Sequence, residues 1–491
     1  MRRRSLTRRI IEEATRRGYI VTKGALSLLE RSEAPLEALE KAMLRLEKSK
    51  HESMLIDEDL LQEILKIPKG KPASKPEAAE EVESLEEVPI ELDERLLKEW
   101  RIQGSSQEFR KYFMNRYEKL SQILRGRLSG VIDLKSAMKL REGREAYVVA
   151  MLLEKRETKK AWIFRADDPT AESKILVPKS LETGEDPAIL LPDSVFAAKV
   201  LRTGDSLMAR ELVLPDVAVK QQRGCRCTSY VCLISDIHLG SKQFRDDLFE
   251  SFLDWINRGR DPEVKKMKFL IIAGDLVDGV GIYPDQHKEL EIISVEEQLK
   301  RLSRLLSEVP DHVRIIVGPG NHDPVQRALP QPPLREKYRR ILEESGRRFF
   351  FVGNPAWINL GGRVFLIYHG QGLDDLIQHV PEFSHSNLGK DLGKLLMLLM
   401  KHRHLCPVYG ESTPILPLEE DLLVIDRVPN VFHSGHVHVA YAGSYRGIKM
   451  INSGTWQEQT SYQRSVGLEP TVGVMALINL GDLSVKMRRF M

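Results

Sequence analysis

The sequence predicts an α/β protein in which a layered α/β domain fills the C-terminal half, with a small β-barrel and a helical module ahead of it. Three observations predict this. Beyond Tyr230, β-branched and aliphatic runs such as VCLISDIH, FLIIAGD, VRIIVGPGNHD and RVFLIYHG end in Asp, His or Asn, with helical segments between them. Continuous apolar runs of this kind are strands covered on both faces, and polar groups in such sheets gather where the strands end. Between residues 124 and 217 the apolar runs are shorter and separated by turn residues, and before residue 68 apolar side chains recur at helical spacing.

In chain order, residues 1–68 place Leu28, Leu29, Leu36, Leu39, Met43 and Leu46 at three- and four-residue spacings, which predicts short amphipathic helices. The basic end, Arg2, Arg3, Arg4, Arg8 and Arg9, reads as a solvated terminus. Residues 69–94 carry three prolines and a dense acidic run but few large apolar groups. They cannot bury enough surface to offset the entropy of ordering, so a flexible acidic linker is expected. Residues 95–225 contain helical stretches around 96–100 and 109–124, then strand-like runs at 147–153, 161–164, 174–177 and 195–201, punctuated by Gly143, Gly184 and Gly204. That spacing suits a small barrel. An oligonucleotide-binding fold is one such barrel, and periodicity alone does not separate it from other five- or six-stranded barrels. Residues 226–491 form the layered domain.

The 491 residues, 42% hydrophobic and 7% aromatic, have the length of roughly three ordinary domains. With 74 basic and 71 acidic side chains, affinity for nucleic acid has to come from local patches rather than bulk charge. Cysteines 225, 227, 232 and 406 offer neither a disulfide framework nor C-x-x-C pairs, which fits a reducing, cytoplasmic location. The basic start MRRRSLTRR leads into EEATRRGY rather than an apolar run, so no secretory signal is expected. The longest strongly apolar run, 395–400, is far short of the ~20 residues a membrane helix needs, and no membrane association is expected.

Five segments supply groups that can bind metal: Asp236 and His238 in S-D-I-H-L-G, Asp275 in A-G-D-L-V-D-G, Asn321 and His322 in G-N-H-D, His369 in Y-H-G, and His436 and His438 in S-G-H-V-H. In extended chain, positions i and i+2 point to one side, so each D-x-H or H-x-H pair can converge on one centre. Glycines 240, 274, 320, 370 and 435 allow close backbone approach beside them. A lone H-x-H is better explained by a buried histidine satisfied by a carbonyl. Eight such residues ending five apolar strands would instead leave several expensive buried groups unless metal neutralised them.

In this order the motifs D-x-H, G-D-x-x-D, G-N-H-D, H and G-H-x-H resemble the calcineurin-like metallophosphoesterase superfamily, and the resemblance covers Tyr230 to about Met491. It implies a phosphoesterase β-sandwich flanked by helices. It further implies that Asp236, His238 and His438 hold one metal, that Asn321, His369 and His436 hold another, and that Asp275 bridges them. His322 is then no ligand but the catalytic group above the scissile phosphate, with Asp323 orienting its imidazole. Two cations in that arrangement activate water and clamp the attacking and leaving oxygens. The mixed imidazole, carboxylate and amide set suits manganese, with iron or magnesium as alternatives, better than calcium.

The whole order, helical module, acidic linker, OB-like barrel and phosphoesterase, is similar to the small subunits of archaeal family D DNA polymerases. That resemblance implies a proofreading 3′ to 5′ exonuclease in a two-subunit replicative polymerase. Its partners would be the large catalytic subunit, DNA with a single-stranded 3′ end or a primer-template, and a sliding clamp. One alternative is a non-catalytic scaffold subunit, which predicts missing ligands. Another is a double-strand-break repair nuclease, a family that begins with the phosphoesterase.

Weaker signals complete the reading. Asp278 is read as supporting a ligand or as solvated, His402 and His404 in K-H-R-H-L as a basic surface stretch near nucleic acid, and Cys225 and Cys227 as unsuited to a structural zinc. Trp456 is read as core or as a base-stacking platform.

Overall fold

The computed structural model describes residues 88–491, apart from 181–183, 222–226 and 259–260, together with parts of residues 10–65. The chain divides into two compact units, Met1–Glu86 and Glu87–Met491. In the first, the helix Pro35–Lys48 turns Ala38, Leu39, Ala42 and Met43 onto a small core with Ile10, Leu29, Ile56 and Leu61. Two short strands, Ile20–Val21 and Leu55–Ile56, pair in parallel beside them.

The second unit begins with β1 (Ile90–Leu92) and continues through β2 (Glu145–Glu157), β3 (Ala161–Asp168), β4 (Ala171–Pro178), β5 (Val195–Thr203) and β6 (Ser206–Val213). Strands β2 to β6 form a closed barrel in the order β2-β3-β4-β6-β5, with β5 returning to β2. All its pairings are antiparallel except that of β4 with β6. Its interior is apolar, with Val148, Ala150, Phe164, Ile175, Phe196 and Ala198 fully buried. Four of the five strands are expected from the sequence, and β6 is not, because Arg210 and Glu211 interrupt its alternation.

Helix α1 (Ser106–Arg125) opens on a capping box in which Ser105 and Glu108 satisfy one another's backbone groups. Its buried Tyr117, Leu120 and Leu124 pack on Val149 and Ala197 of the barrel and on Val424 of the next domain. Arg116, fully buried on the same helix, donates to Asp421 at 2.8 Å and to the Pro407 carbonyl at 2.6 Å. Barrel and following domain therefore share a core and a buried ion pair.

That domain is a sandwich of two six-stranded sheets. One contains β7 (Tyr230–Ile234), β8 (Met267–Ala273), β9 (Arg314–Gly318) and β10 (Phe349–Phe351), all parallel. The other contains β11 (Ala356–Leu360), β12 (Arg363–Ile367), β13 (Val431–Ser434), β14 (Ala440–Tyr445) and β15 (Ile448–Ser453). Strands β16 (Val474–Asn479) and β17 (Val485–Arg489) extend the first sheet beyond β7. Between the sheets, Val231, Leu233, Phe269 and Ile271 meet Ile358, Phe365, Ile367 and Val431. Helices α2 (Asp246–Arg258) and α3 (Val295–Leu306) cover the outer face of the first sheet, and α4 (Gly372–His379) and α5 (Leu388–His402) that of the second. Burial on both faces is why these strands read as unbroken apolar runs.

One expectation is corrected. The flexible linker is expected from the sequence to reach residue 94, but β1 pairs antiparallel with β11, Ile90 opposite Leu360 and Leu92 opposite Ile358. The alternate residues Val88, Ile90 and Leu92 supply an apolar face that the surrounding acidic run hid. Residues 66–87, the rest of that segment, lie outside the described residues.

Candidate metal centre

The ends of β7, β8 and β9 carry Asp236, Asp275 and Asn321, and the ends of β12 and β13 carry His369 and the pair His436 and His438. Both sheets therefore contribute to one centre, at the floor of a cavity of about 500 Å³. The side chains converge in two overlapping sets. In the first, His238 Nε2 lies 3.0 Å from His438 Nε2, 3.9 Å from Asp236 Oδ1 and 3.5 Å from Asp275 Oδ2, and His438 Nε2 is 3.4 Å from Asp236 Oδ1. In the second, Asn321 Oδ1 lies 3.0 Å from both His369 Nε2 and His436 Nδ1, and His369 Nε2 is 3.3 Å from Asp275 Oδ2. Asp275 Oδ2 is common to the two. Buried and half-buried donors this close together, carboxylate, imidazole and amide, have the chemistry and spacing to share a divalent cation in each set.

The backbone is unusual where it delivers these groups. Asp236, His238, Asp275, His436 and His438 all have left-handed conformations, with φ between +49° and +70°. Non-glycine residues rarely adopt it, and clusters of such strain mark functional sites. The expected extended D-x-H and H-x-H geometry is thus replaced by tight turns, which swing both side chains of each pair into the centre. Gly320 has to be glycine for a steric reason, since a Cβ there would run into the Asp275 carboxylate.

Electrostatics support the same reading. Burial alone would raise the Asp275 carboxyl, but His369, His322 and His238 around it hold it well below the usual carboxylate range. Burial likewise works against protonated His238 and His369, yet the surrounding carboxylates raise them to about 9 and about 10. The anionic cluster thus demands nearby positive charge, which bound cations supply in a metalloenzyme.

Neighbouring groups hold the donors in place. Asp278, buried and no longer ambiguous, accepts from His238 Nδ1 at 2.9 Å and is itself held by Gln286 and Gln457. Two partners had no spacing signal in the sequence. Asp374, in the first turn of α4, lies 2.8 Å from His436 Nε2, and the Gln463 amide lies 2.7 Å from His438 Nδ1. Such partners fix ring orientation and tautomer.

Two expectations change, and one alternative is settled. Asp323 does not orient His322. Its carboxylate accepts from the backbone N–H groups of Leu276, Val277 and Gly320, tying two ligand loops together, and burial beside Asp275 raises it to about 7. His322 Nδ1 instead pairs with the Asp278 carbonyl at 2.8 Å, and its ring packs edge-on against His238. His402 and His404 are not surface residues. Both are buried, pairing with the Ile189 carbonyl and the Asp421 carboxylate. Trp456 is core, packed among Phe249, Phe252 and Phe490. Cys225 lies outside the described residues.

Residues 231–442 match the family model that describes the B subunits of DNA polymerases alpha and epsilon. The DNA polymerase II small subunit of Archaeoglobus fulgidus is 34% identical over 96% of this chain and 96% of its own. That of Pyrococcus horikoshii is 38% identical over 82% of this chain and 68% of its own. Against two other Pyrococcus relatives the match spans 62% and 61% of their length. A solved archaeal phosphodiesterase aligns over 53% of this chain and 98% of its own at 11% identity and a TM-score of 0.26. Among the described residues no helix is long and apolar enough to cross a membrane. With its sandwich, barrel and clustered donors, and with a relative matched almost end to end, the chain belongs to the family of archaeal DNA polymerase II small subunits.

Proposed function

We propose that the chain is a metal-dependent 3′ to 5′ DNA exonuclease that proofreads for a large polymerase subunit. One observation carries this reading: seven donor side chains from both sheets converge around Asp275 Oδ2 on the floor of an open cavity. Asp236, His238 and His438 would hold one divalent cation, Asn321, His369 and His436 a second, and Asp275 both. Manganese fits this donor set best, with iron or magnesium as alternatives. Bound cations supply Lewis acidity toward a phosphodiester and lower the pKa of water.

His322 lines the cavity beside these groups without belonging to either donor set. Donation of Nδ1–H to the Asp278 carbonyl leaves Nε2 of the neutral ring as an acceptor. Burial favours that neutral form, whereas the negative charge of a phosphodiester favours the imidazolium. Substrate binding would therefore draw a proton onto His322 at the place where negative charge accumulates. The closed five-stranded barrel is compatible with an oligonucleotide-binding fold, which supports the reading of a DNA substrate.

The test is manganese-dependent degradation of a 5′-labelled primer with a mismatched 3′ end, by this chain alone and with the large subunit. Stepwise shortening from the 3′ end, abolished by His322→Ala, is expected. No shortening in either setting would leave a scaffold role as the better reading.

A further inference from the structure

The cavity above the metal centre has two aromatic lips that the chemistry so far does not use. Tyr283 and Tyr462 both line it, and they are 37% and 65% exposed, although large apolar surfaces usually find cover. Tyr283 stands beside His322, with ring centroids 6.3 Å apart. Tyr462 sits in the short helix Ser461–Ser465, next to Gln463, the partner of His438.

The two lips are joined. Glu289 accepts from the Tyr283 hydroxyl at 3.1 Å through one carboxylate oxygen and from the Ser461 hydroxyl through the other. One side chain thus ties the loop carrying Tyr283 to the helix carrying Tyr462. Around them Ile282, Pro284, Val437 and Leu468 add apolar surface and Asp374, His385, Gln457 and Thr460 polar groups, and among the described residues no lysine or arginine lines the cavity. Walls of this composition offer rings and apolar surface, leaving phosphate charge to the centre below.

We propose that Tyr283 and Tyr462 form a stacking clamp for unpaired nucleobases at the 3′ end of a nucleic-acid strand. The proposal rests on the exonuclease reading and names how that site holds its substrate. A nucleotide whose phosphate reaches His322 has its base within reach of the neighbouring Tyr283 ring. Every base presents a π-face, so such a clamp is indifferent to sequence, as removal of any terminal nucleotide requires. A base kept in a duplex stack is not free to enter it, so the clamp selects frayed or mismatched ends.

The test separates the clamp from catalysis. A single-stranded oligonucleotide with 2-aminopurine at its 3′ end is bound to the full chain in the presence of EDTA, where stacking on an aromatic ring quenches its fluorescence. Quenching by the wild-type chain, lost in Tyr283→Ala and Tyr462→Ala but kept in Tyr283→Phe, is expected, with affinity falling roughly 5- to 150-fold per ring lost. Quenching unchanged by both alanine substitutions, or absent from the wild-type complex, overturns the clamp. In a parallel arm with manganese, kcat/KM is compared for a normal and an abasic 3′ terminus. Alanine variants that lose rate on the normal end alone support the clamp, and equal losses on both ends overturn it. Absence of any hydrolysis sinks the exonuclease reading, while the fluorescence arm still decides the clamp.

Discussion

Two histidine pairs in this chain share one spacing and have opposite fates. His402 ends helix α5 and His404 follows it into the core, the first paired with the Ile189 carbonyl and the second with Asp421 and the Cys406 backbone N–H, and burial lowers both to about 4. His436 and His438 follow β13 into a turn where carboxylates crowd them: Asp236 lies 3.4 Å from His438, and Asp374 lies 2.8 Å from His436. Around the first pair, Arg116 already neutralises Asp421. Around the second, Asp236 and Asp275 have no arginine or lysine partner among the described contacts. Equal spacing thus meets opposite electrostatics, and only the second pair faces surplus negative charge that a cation would neutralise.

Interchangeable behaviour of the two pairs under mutation would contradict this difference. The largest effect is expected at the shared carboxylate: Asp275→Asn should lower manganese-dependent phosphodiester hydrolysis by about 10³-fold or more, roughly 4 kcal/mol of barrier, with an unchanged fold by circular dichroism. Activity near wild type would remove Asp275 from the chemistry. Around the first pair the effect should fall on stability instead. Arg116→Met leaves the Asp421 carboxylate buried without its guanidinium, so unfolding in urea should show a loss of about 3–5 kcal/mol while manganese affinity stays the same.

Smaller effects sharpen the contrast. Asp278→Ala removes the acceptor behind His238, and calorimetric titration should show manganese binding weakened between about 10- and 100-fold. His402 supplies a pH test. Its folded-state value of about 4 lies below the ordinary 6.5, so between those values the unfolded chain binds the extra proton. Stability should therefore fall as pH drops from about 6.5 toward 4, by up to about 1.4 kcal/mol per pH unit. His402→Leu should flatten that slope, and an identical slope in the variant would assign the acid sensitivity elsewhere.

The sequence made the donor set legible because each donor ends a run of apolar residues long enough to be a covered strand. It separates the two histidine pairs, because no strand-like run leads into His402 and His404, but it does not show that this pair is buried: Arg116 and Asp421, which accompany it, are remote from one another in the chain and meet only in the folded core. Asp374 and Gln463 belong to none of the ligand motifs and sit on short helices whose other polar residues give them no distinguishing pattern. The left-handed turns were hidden for a related reason: Asp and His tolerate that conformation only when the surrounding structure enforces it. Strand β1 escaped notice because its partner β11 lies far downstream and its three residues are embedded in acidic chain.

Each proposed cation set draws donors from both sheets, Asp236 and His238 against His438, and Asn321 against His369 and His436. A cation there would act as a rivet through the sandwich. Its binding energy is then folding energy, because the unfolded chain has no preformed site to compete. Ions that suit the donors raise the melting temperature as their concentration rises, and ill-fitting ions leave it where it was. With cations in those sets, the molecule would carry its own calorimetric gauge of metal preference, readable with no DNA present.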